Sequence, residues 1–229
     1  MKSLYILVAC EESQIVCKEF RKLGHIAFSC DIIEPSGGHL EWHILQDVLP
    51  LLDGLCHFYT MDGKHHTVIK WDLIIAHPPC TYLCLSSQKH CNIDVFGDKA
   101  KERIKKRDDA VKFFMQFVNA NCKHIAIENP VGIMTSRYRK ADQYIQPYEY
   151  GHPTSKKTGL WLKNLPKLEP TNIVDQEFHI SSSGRKWDKW FWDSSLIGDL
   201  AERSKFRSKT FPGIAQAMAE QWSEYLTKE

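Results

Sequence analysis

The sequence predicts an α/β protein with a doubly wound, mostly parallel sheet, and two observations lead to this expectation. Short apolar runs typical of strands alternate along the chain with longer segments of helical spacing. The first run, 4–9, is continuously apolar, as expected for a strand buried on both faces. In such a sheet, ligands bind beyond the carboxyl ends of the strands.

Five strands of this sheet and two helices are expected within residues 4–127. Residues 13–23 carry apolar side chains at helical spacing, and the pattern stops at Gly24. A longer helix is expected over residues 99–121. The strands after the first are expected at 25–33, 43–48, 71–76 and 123–127.

The remaining sequence has a more irregular texture. Short strands are expected at 144–150 and 159–162, followed by a loop-rich stretch over 163–207. The last segment, 213–226, is amphipathic and helical. We expect one domain over residues 1–229, with a basic and aromatic insertion at about 164–207.

Charge is distributed unevenly along the chain, although the formal net charge is only +2. Residues 1–98 hold seven basic and twelve acidic side chains, whereas residues 99–229 hold 23 basic and 16 acidic ones. This asymmetry is expected if the second part faces an anionic partner. A chance distribution of solvated helix faces is the alternative.

Composition also indicates a compartment. No apolar run approaches the roughly 20 residues of a membrane span, and acidic residues rather than a cleavage site follow the first apolar run. Six of the eight cysteines lie in or near apolar stretches, where a reduced thiol packs as a small hydrophobe. We expect a reduced, cytoplasmic protein.

Acidic, nucleophilic and amide side chains follow all five predicted strands. Because the carboxyl ends of parallel strands meet at one sheet edge, we expect these residues to converge. An Asp at the end of the second strand is also suited to bind ribose hydroxyls. In chain order, the strand-end residues are Ala9-Cys10-Glu11-Glu12-Ser13, Asp31, Asp47, His77-Pro78-Pro79-Cys80 and Glu128-Asn129-Pro130.

Cys80 is a candidate nucleophile. It follows two prolines that stiffen the turn after the fourth strand, and His77 is close in sequence. A metal site is the competing interpretation, because His77, Cys84, His90 and Cys91 lie in the same short segment. The cysteine spacing matches no paired CxxC knuckle, so the sequence predicts no metal.

The order of these motifs resembles that of the DNA cytosine-C5 methyltransferase family. The resemblance comprises LVACEES, CDI at Asp31, QDV at Asp47, HPPC at Cys80 and ENP at Glu128. Residues 156–162 stand where the family has a basic strand, and residues 211–215 are similar to its closing segment. More narrowly, the chain looks like short members encoded by phages and prophages.

The resemblance implies transfer of a methyl group from S-adenosylmethionine to C5 of cytosine in DNA. In that chemistry, the Cys80 thiolate attacks C6 of the ring, and Glu128 protonates or hydrogen-bonds N3. Asn129 holds Glu128 or its loop in place. A base in a duplex has to be flipped out to reach Cys80.

The resemblance also implies two sets of binding residues. Asp31 is expected to bind the cofactor ribose, Asp47 its adenine amino group, and residues 9–13 its methionine portion. The residues expected at the cofactor are Ala9, Cys10, Glu11, Glu12, Ser13, Asp31, Ile32, Asp47, Val48, His77 and Pro78. Thr81, Lys156, Lys157 and Thr158 are expected at the substrate.

Residues 181–192 add a second candidate for substrate binding, because cations and aromatic rings alternate there. This composition is typical of surfaces that hold phosphates while stacking bases. Arg185, Lys186, Trp187 and Trp190 are the expected contacts. The short segment stands where the family has a target-recognition domain, so RNA, single-stranded DNA and a free nucleotide remain alternative substrates. A weak or inactive relative that only binds nucleic acid or cofactor is a further alternative.

Overall fold

The computed structural model describes residues 2–228. Its strands are β1 (Tyr5–Ala9), β2 (Ile26–Asp31), β3 (His43–Leu45), β4 (Cys56–Tyr59), β5 (His65–Val68), β6 (Leu73–Ala76), β7 (Ile125–Pro130), β8 (Gln143–Ile145), β9 (Thr158–Lys163), β10 (Phe178–Ile180) and β11 (Lys186–Asp188). Its α-helices are α1 (Ile15–Lys22), α2 (Leu85–Gln88), α3 (Ile93–Val118), α4 (Met134–Arg137), α5 (Lys189–Ser195), α6 (Leu200–Ser208) and α7 (Pro212–Lys228).

Seven of these strands form the central sheet, in the order β3-β2-β1-β6-β7-β9-β8. Five strands run parallel to one another: β3, β2, β1, β6 and β7. The strand β9 is antiparallel to both β7 and β8. The predicted α/β class with a mostly parallel sheet is therefore confirmed. The chain winds outward from β1 to β3 and returns to β6 on the other side of β1, which makes the β1–β6 boundary the topological switch point.

Helices cover both faces of the sheet. On one face, α1 and α7 pack on side chains such as Ile6, Val8 and Ile75. On the other face, α3 packs with Leu7 and Ile74 in a second apolar cluster. Consecutive residues of β1 therefore point into different cores, which explains why its sequence is apolar without alternation.

Two predicted features of the first part differ in the structure. The long helix α3 begins at Ile93, before the expected start at Lys99, and its path is broken at Gly97, where φ is 53°. The sequence analysis also missed the β4–β5 hairpin, which places Phe58 against Phe28 with ring centroids 5.0 Å apart. Alternating polar and apolar residues in β4 (pattern buried, exposed, buried, exposed) are the signal that could have revealed it.

The prediction of a loop-rich stretch over 163–207 is wrong for its second half. Residues 178–188 form the β10–β11 hairpin, which α5 and α6 follow. The expected strand over 144–150 is also shorter, because it ends at Ile145 before a 3₁₀ turn over Pro147–Glu149. Among the helices between Lys2 and Lys228, none has the length and apolar character required to cross a membrane.

Candidate active site

The switch point brings the loop after β1 against the turn after β6. Ala9 pairs with Ala76, and the next residue, His77, donates its backbone N–H to the Ala9 carbonyl at 2.9 Å. Parallel register thus places residues 10–14 beside residues 77–80. The strand-end residues of β1, β6 and β7 meet at this edge, as the sequence analysis expected.

The loop after β1 is held by its own carboxylate. Glu11 is 4 % exposed and accepts hydrogen bonds from the backbone N–H groups of Val16 (2.6 Å) and Cys17 (3.2 Å). A negative charge at the start of α1 is favoured by the helix dipole. Burial raises the pKa of Glu11 to about 7, even though the charge of His77 and these hydrogen bonds lower it. Ser13 lies buried beside the same carboxylate.

Three further predicted cofactor residues come together at the ends of β1, β2 and β3. The Glu11 N–H donates to the Cys30 carbonyl at 3.2 Å, and the Gln46 N–H donates to the Asp31 carbonyl at 3.1 Å, so these strand ends are adjacent. Burial and the charges of Asp31, Cys30 and Asp47 raise the pKa of the Cys10 thiol. Asp31 is half-buried, and burial raises its pKa although the Ile33 N–H donates to it at 3.2 Å. Asp47 is exposed and accepts from the Leu49 N–H at 3.0 Å.

Glu12 has a carboxylate oxygen without a partner. Its Oε1 is buried and makes no hydrogen bond within the part of the chain that the structure describes. Its Oε2 lies 3.3 Å from Lys205 Nζ in α6 and accepts from the Ser36 N–H. The charge of Lys205 also acts on Asp31. A basic helix from the second part of the chain therefore lies over the acidic loop of the first part.

The central contact of the site joins His77 and Glu128. His77 Nδ1 lies 2.7 Å from Glu128 Oε2, with both side chains about one-eighth exposed. Because Ala76 pairs with Ile127 across β6 and β7, the next residues on each strand face each other. His77 is thus placed by the sheet register and not by its loop.

The two groups shift each other's pKa in opposite directions. Burial lowers the pKa of His77, but the hydrogen bond and the charge of Glu128 outweigh it, so the net pKa is raised. Burial raises the pKa of Glu128, but the hydrogen bond and the charge of His77 lower it overall. The proton of this pair is therefore held by His77 in preference to Glu128.

The turn that carries Cys80 is held from two sides. Asn129 Nδ2 donates to the Pro78 carbonyl at 2.7 Å, and the Leu83 and Cys84 N–H groups donate back to the Cys80 carbonyl. Gly132 pairs with Cys84 in an isolated bridge. These contacts fix the backbone on both sides of the Cys80 thiol.

Cys80 itself is half-buried and protonated near neutral pH in this state. Burial raises its pKa, and the charges of Cys84 and Glu128 raise it further. The charge of Lys156 lowers it. Glu128 and Lys156 also border one small cavity, so the three groups lie close enough for their charges to act on one another.

A small cavity lies next to Glu128 and is bordered by Lys156 and Thr158. Phe211, the residue before α7, closes this cavity. Lys156 Nζ donates to the carbonyls of Arg207 (2.8 Å) and Lys209 (3.4 Å). This ties the residues just before β9 to the end of α6 and to the residue that follows it. Thr158 is buried and donates to the Lys156 carbonyl at 3.0 Å.

No family model matches the chain, and no curated protein matches it significantly.

The other predicted residues are more dispersed. Val48 packs in the core at 4 % exposure, whereas Ile32 is 76 % exposed. Thr81 is exposed in the turn after Cys80. Lys157 is exposed and lies 4.8 Å from the ring centroid of Tyr144.

The basic and aromatic residues form a surface unit with internal stacking. Arg185 lies 4.0 Å from the Trp187 ring centroid, and Trp187 contacts Trp192 at 6.2 Å. Trp190 instead faces Phe211 at 5.2 Å, and Lys156 lies 5.9 Å from its ring. Trp190 thus connects this unit to the site, while Lys186, over the Phe178 ring, remains exposed.

Sequence reasoning missed Lys205 and Phe211 as site residues and missed the pairing of His77 with Glu128. Lys205 gave no local signal, because its place over Glu12 depends on how the insertion packs. No group of three or more His, Cys, Asp and Glu side chains among residues 2–228 is arranged to hold a metal ion. The segment from His77 to Cys91 therefore does not bring its candidate ligands together.

Proposed function

We propose that this protein transfers a methyl group from S-adenosylmethionine to C5 of cytosine in DNA through a covalent adduct with Cys80. One arrangement carries the proposal: Asn129 holds the Cys80 turn through the Pro78 carbonyl, next to Glu128, which pairs with His77 and borders one cavity with Lys156. A thiol, a carboxylate and a cation in one buried site are the groups that nucleophilic attack on a base requires.

The sheet supports the proposal. Its first five strands follow the order 3-2-1-4-5 of dinucleotide-binding folds. It departs from them by one reversed strand, β9, which lies between β7 and β8. A reversed strand at this place is the feature by which methyltransferase sheets differ from dinucleotide-binding ones, so the topology agrees with the resemblance described above.

The residues beyond β1, β2 and β3 fit S-adenosylmethionine. Asp31 is half-buried and suited to accept from ribose hydroxyls. The unpartnered Oε1 of Glu12 is suited to accept from the amino group of the methionine portion. Lys205, which lies beside Glu12, would supply a cation for the carboxylate of the methionine portion. Asp47, exposed beside Cys10, would accept from the adenine amino group.

When bound, S-adenosylmethionine supplies an electrophilic methyl group. The Cys80 thiol has to lose its proton before it can form the Sγ–C6 bond, and its raised pKa makes this a step that substrate binding must favour. Attack at C6 with protonation at N3 would make C5 nucleophilic. C5 would then take the methyl group as the S–CH3 bond breaks and S-adenosylhomocysteine leaves. Loss of the C5 proton to water, return of the N3 proton through Glu128 to His77 and breakage of the Sγ–C6 bond would follow. The ring is restored and Cys80 is released.

His77 has a role in this scheme that the sequence did not suggest. Because the pKa of Glu128 is lowered and that of His77 is raised, the proton of the pair stays on His77, and an ionised Glu128 cannot by itself donate to N3. Glu128 can relay that proton from His77 Nδ1, 2.7 Å away, to N3 as charge develops on the ring. Asn129 positions the Cys80 turn through the Pro78 carbonyl.

Nucleoside analysis tests the proposal. The protein is expressed in a methylation-deficient host, and digested DNA and RNA are analysed by mass spectrometry. We expect 5-methylcytosine in DNA, and its loss in Cys80→Ala. Cys91→Ala is the matched control, because Cys91 is a half-buried cysteine of the same segment outside the site.

The nucleic acid that carries the product identifies the substrate. 5-Methylcytosine in RNA alone would replace DNA by RNA as substrate. Its absence from both, with the protein folded and bound to S-adenosylmethionine, would refute methyl transfer to these polymers. Undiminished product in Cys80→Ala would refute the covalent mechanism.

One observation favours a second candidate, a relative that binds nucleic acid without catalysis. Glu11 already accepts from the Val16 and Cys17 N–H groups, so the start of α1 is not open to a cofactor carboxylate. Calorimetric titration with S-adenosylmethionine separates the candidates. Binding that Asp31→Ala weakens supports the enzyme, whereas no binding at saturating cofactor supports the second candidate.

A further inference from the structure

A groove separate from the cavity beside Glu128 lies between the turn after Cys80 and the first turns of α3. It encloses about 350 Å³, a volume within the range of small-molecule sites. Its cations are Lys99, Arg103 and Lys106. Its rings are those of Tyr82, His90 and Phe96.

Arg103 is held in place with its terminal nitrogens free. Its guanidinium carbon lies 5.1 Å from the centroid of the Tyr82 ring, and its Nε donates to the Ser87 carbonyl at 3.3 Å. Within residues 2–228, the two terminal nitrogens make no hydrogen bond. A guanidinium with a fixed plane and two free donors has the geometry that phosphate oxygens accept in a bidentate manner.

The charge of the groove is positive. Glu102 neutralises one cation, because its Oε1 lies 2.6 Å from Lys106 Nζ. Lys99 makes no ion pair within the described residues and, with Arg103, leaves two positive charges without a counterion. The groove therefore favours a ligand with one or two negative charges, which would neutralise these two cations.

Aromatic rings border the same space. Phe96 is 39 % exposed and packs at 5.5 Å from the His90 ring, while Tyr82 lies under Arg103. The break at Gly97, which has open space around it, turns the first residues of α3 so that Phe96 borders the groove. Exposed rings beside cations favour a planar ligand with an anionic group over an inorganic anion.

We propose that this groove binds a nucleotide unit, with its phosphate on Arg103 and Lys99 and its base against the Tyr82 or Phe96 ring. Tyr82 is two residues from Cys80, in the turn closed by the Cys80 carbonyl. The nucleotide therefore belongs to the strand that enters the site, as a neighbour of the target base. This placement rests on the proposed function, whereas nucleotide binding in the groove does not.

Binding of labelled oligothymidylate tests the groove, because this probe has no cytosine to methylate. The test variant is Lys99→Ala/Arg103→Ala. The matched control, Lys101→Ala/Lys105→Ala, removes the same charge from the same helix outside the groove. We expect about tenfold weaker binding in the test variant and less than about twofold in the control, at moderate salt.

Two further variants keep the test specific if the double variant unfolds. Tyr82→Ala is expected to weaken binding about tenfold, and Arg103→Lys to weaken it despite the kept charge. Competition with thymidine monophosphate and with inorganic phosphate separates the sources. Displacement by the mononucleotide, lost in the test variant, would assign a free nucleotide to the groove. Equal weakening in test and control variants would overturn the proposal.

Failure of the groove and failure of the proposed function give different results. If 5-methylcytosine forms and oligothymidylate binding is the same in test and control variants, the groove is refuted and methyl transfer stands. If no 5-methylcytosine forms but the test variant alone loses binding, the groove stands without the enzyme.

Discussion

At the level of single residues, the ion pair between His77 and Glu128 decides where the proton of the site resides. Both side chains are nearly buried, and each compensates the desolvation of the other. A buried pair of this kind is costly to break from one side, because the remaining charge loses its partner. The pair therefore has consequences that can be measured without any substrate.

Removing the charge of Glu128 should lower the pKa of His77. Glu128→Gln takes away the hydrogen bond and the charge that raise this pKa, so the effect of burial then dominates, opposed only by Glu11. NMR titration of the histidine side chains measures the shift. An unchanged His77 pKa in Glu128→Gln would contradict the pairing, and Glu149→Gln, a carboxylate not coupled to His77, is the control.

The contribution of the pair to stability should depend on pH. His77, whose pKa is raised by folding, contributes stability that is present below its ordinary pKa of 6.5 and lost as the pH rises through the raised value. Glu128, whose pKa is lowered, contributes stability that is present above 4.5 and lost as the pH falls through the lowered value. Both contributions are therefore complete between pH 4.5 and 6.5.

Urea unfolding at several pH values measures this dependence. The difference in unfolding free energy between the natural protein and His77→Gln/Glu128→Gln should be largest between pH 4.5 and 6.5. It should become smaller as the pH moves outside this window, towards about pH 3 and about pH 9. A difference that stays constant with pH would contradict an ionised pair.

Residues at strand ends could be predicted from the sequence, because apolar runs end at definite positions. Cys80, Glu128 and Asp31 were placed at the correct sheet edge for this reason. The contact between His77 and Glu128 could not be predicted from the sequence, since it depends on the register of β6 against β7. Lys205 over Glu12 could not be predicted either, because it joins parts of the chain far apart in sequence.

At the level of elements, the Cys80 turn depends on the close approach of Gly132. A Cβ at this position would lie 2.1 Å from the Leu83 carbonyl oxygen, which is backbone and cannot turn away. Gly132→Ala should therefore displace the turn and destabilise the protein by about 1–3 kcal/mol. Gly198→Ala, with nothing within 4 Å of the added atom, is the matched control.

Chemical unfolding and proteolysis of the 80–91 segment measure the Gly132 effect. A Gly132→Ala variant as stable as Gly198→Ala would contradict the close approach. Loss of activity with intact stability would instead locate the effect in the turn itself.

Asp188 should anchor the basic and aromatic unit to the rest of the molecule. It caps α5 through the Phe191 N–H at 3.0 Å, and it accepts from Thr154 at 2.7 Å and from the Ser155 N–H at 2.8 Å. Asp188→Ala removes all three bonds, and loss of an N-cap alone costs about 0.5–2 kcal/mol. We expect faster hydrogen exchange over residues 178–195.

The control for Asp188 lies in the same helix. Asp193 pairs with Lys189 on the surface, where both side chains are about half exposed, and such pairs contribute little. Asp193→Ala should therefore leave exchange over the hairpin unchanged. Equal exchange in the two variants would contradict the anchoring role of Asp188.

The elements show where sequence patterns are informative. β1 and α7 were predicted almost to their ends, because a buried strand and an amphipathic helix have distinct periods. The insertion was misread because β10, β11 and α5 are short and gain their stability from mutual packing, such as the His179–Trp192 stack at 4.1 Å. Such contacts leave no periodic trace in the sequence.

At the level of the whole molecule, the uneven charge of the chain has a structural form. The acidic first part provides Glu12 and Asp31, on which Lys205 of the basic second part acts, and Lys156 of the second part borders the cavity beside Glu128. This arrangement places an acidic site beneath basic side chains. The opposite charges of the two parts could be counted in the sequence, whereas the contact of Lys205 with Glu12 depends on the folded structure.

Capture of the covalent intermediate tests the central claim most directly. An oligonucleotide with 5-fluorocytosine should form a lasting adduct when S-adenosylmethionine is present, because fluorine at C5 cannot leave as a proton. We predict that intact-mass spectrometry finds protein plus one methylated oligonucleotide, and that peptide mapping locates the bond on Cys80. No adduct in protein that binds both ligands, or an adduct on another cysteine, would contradict the account.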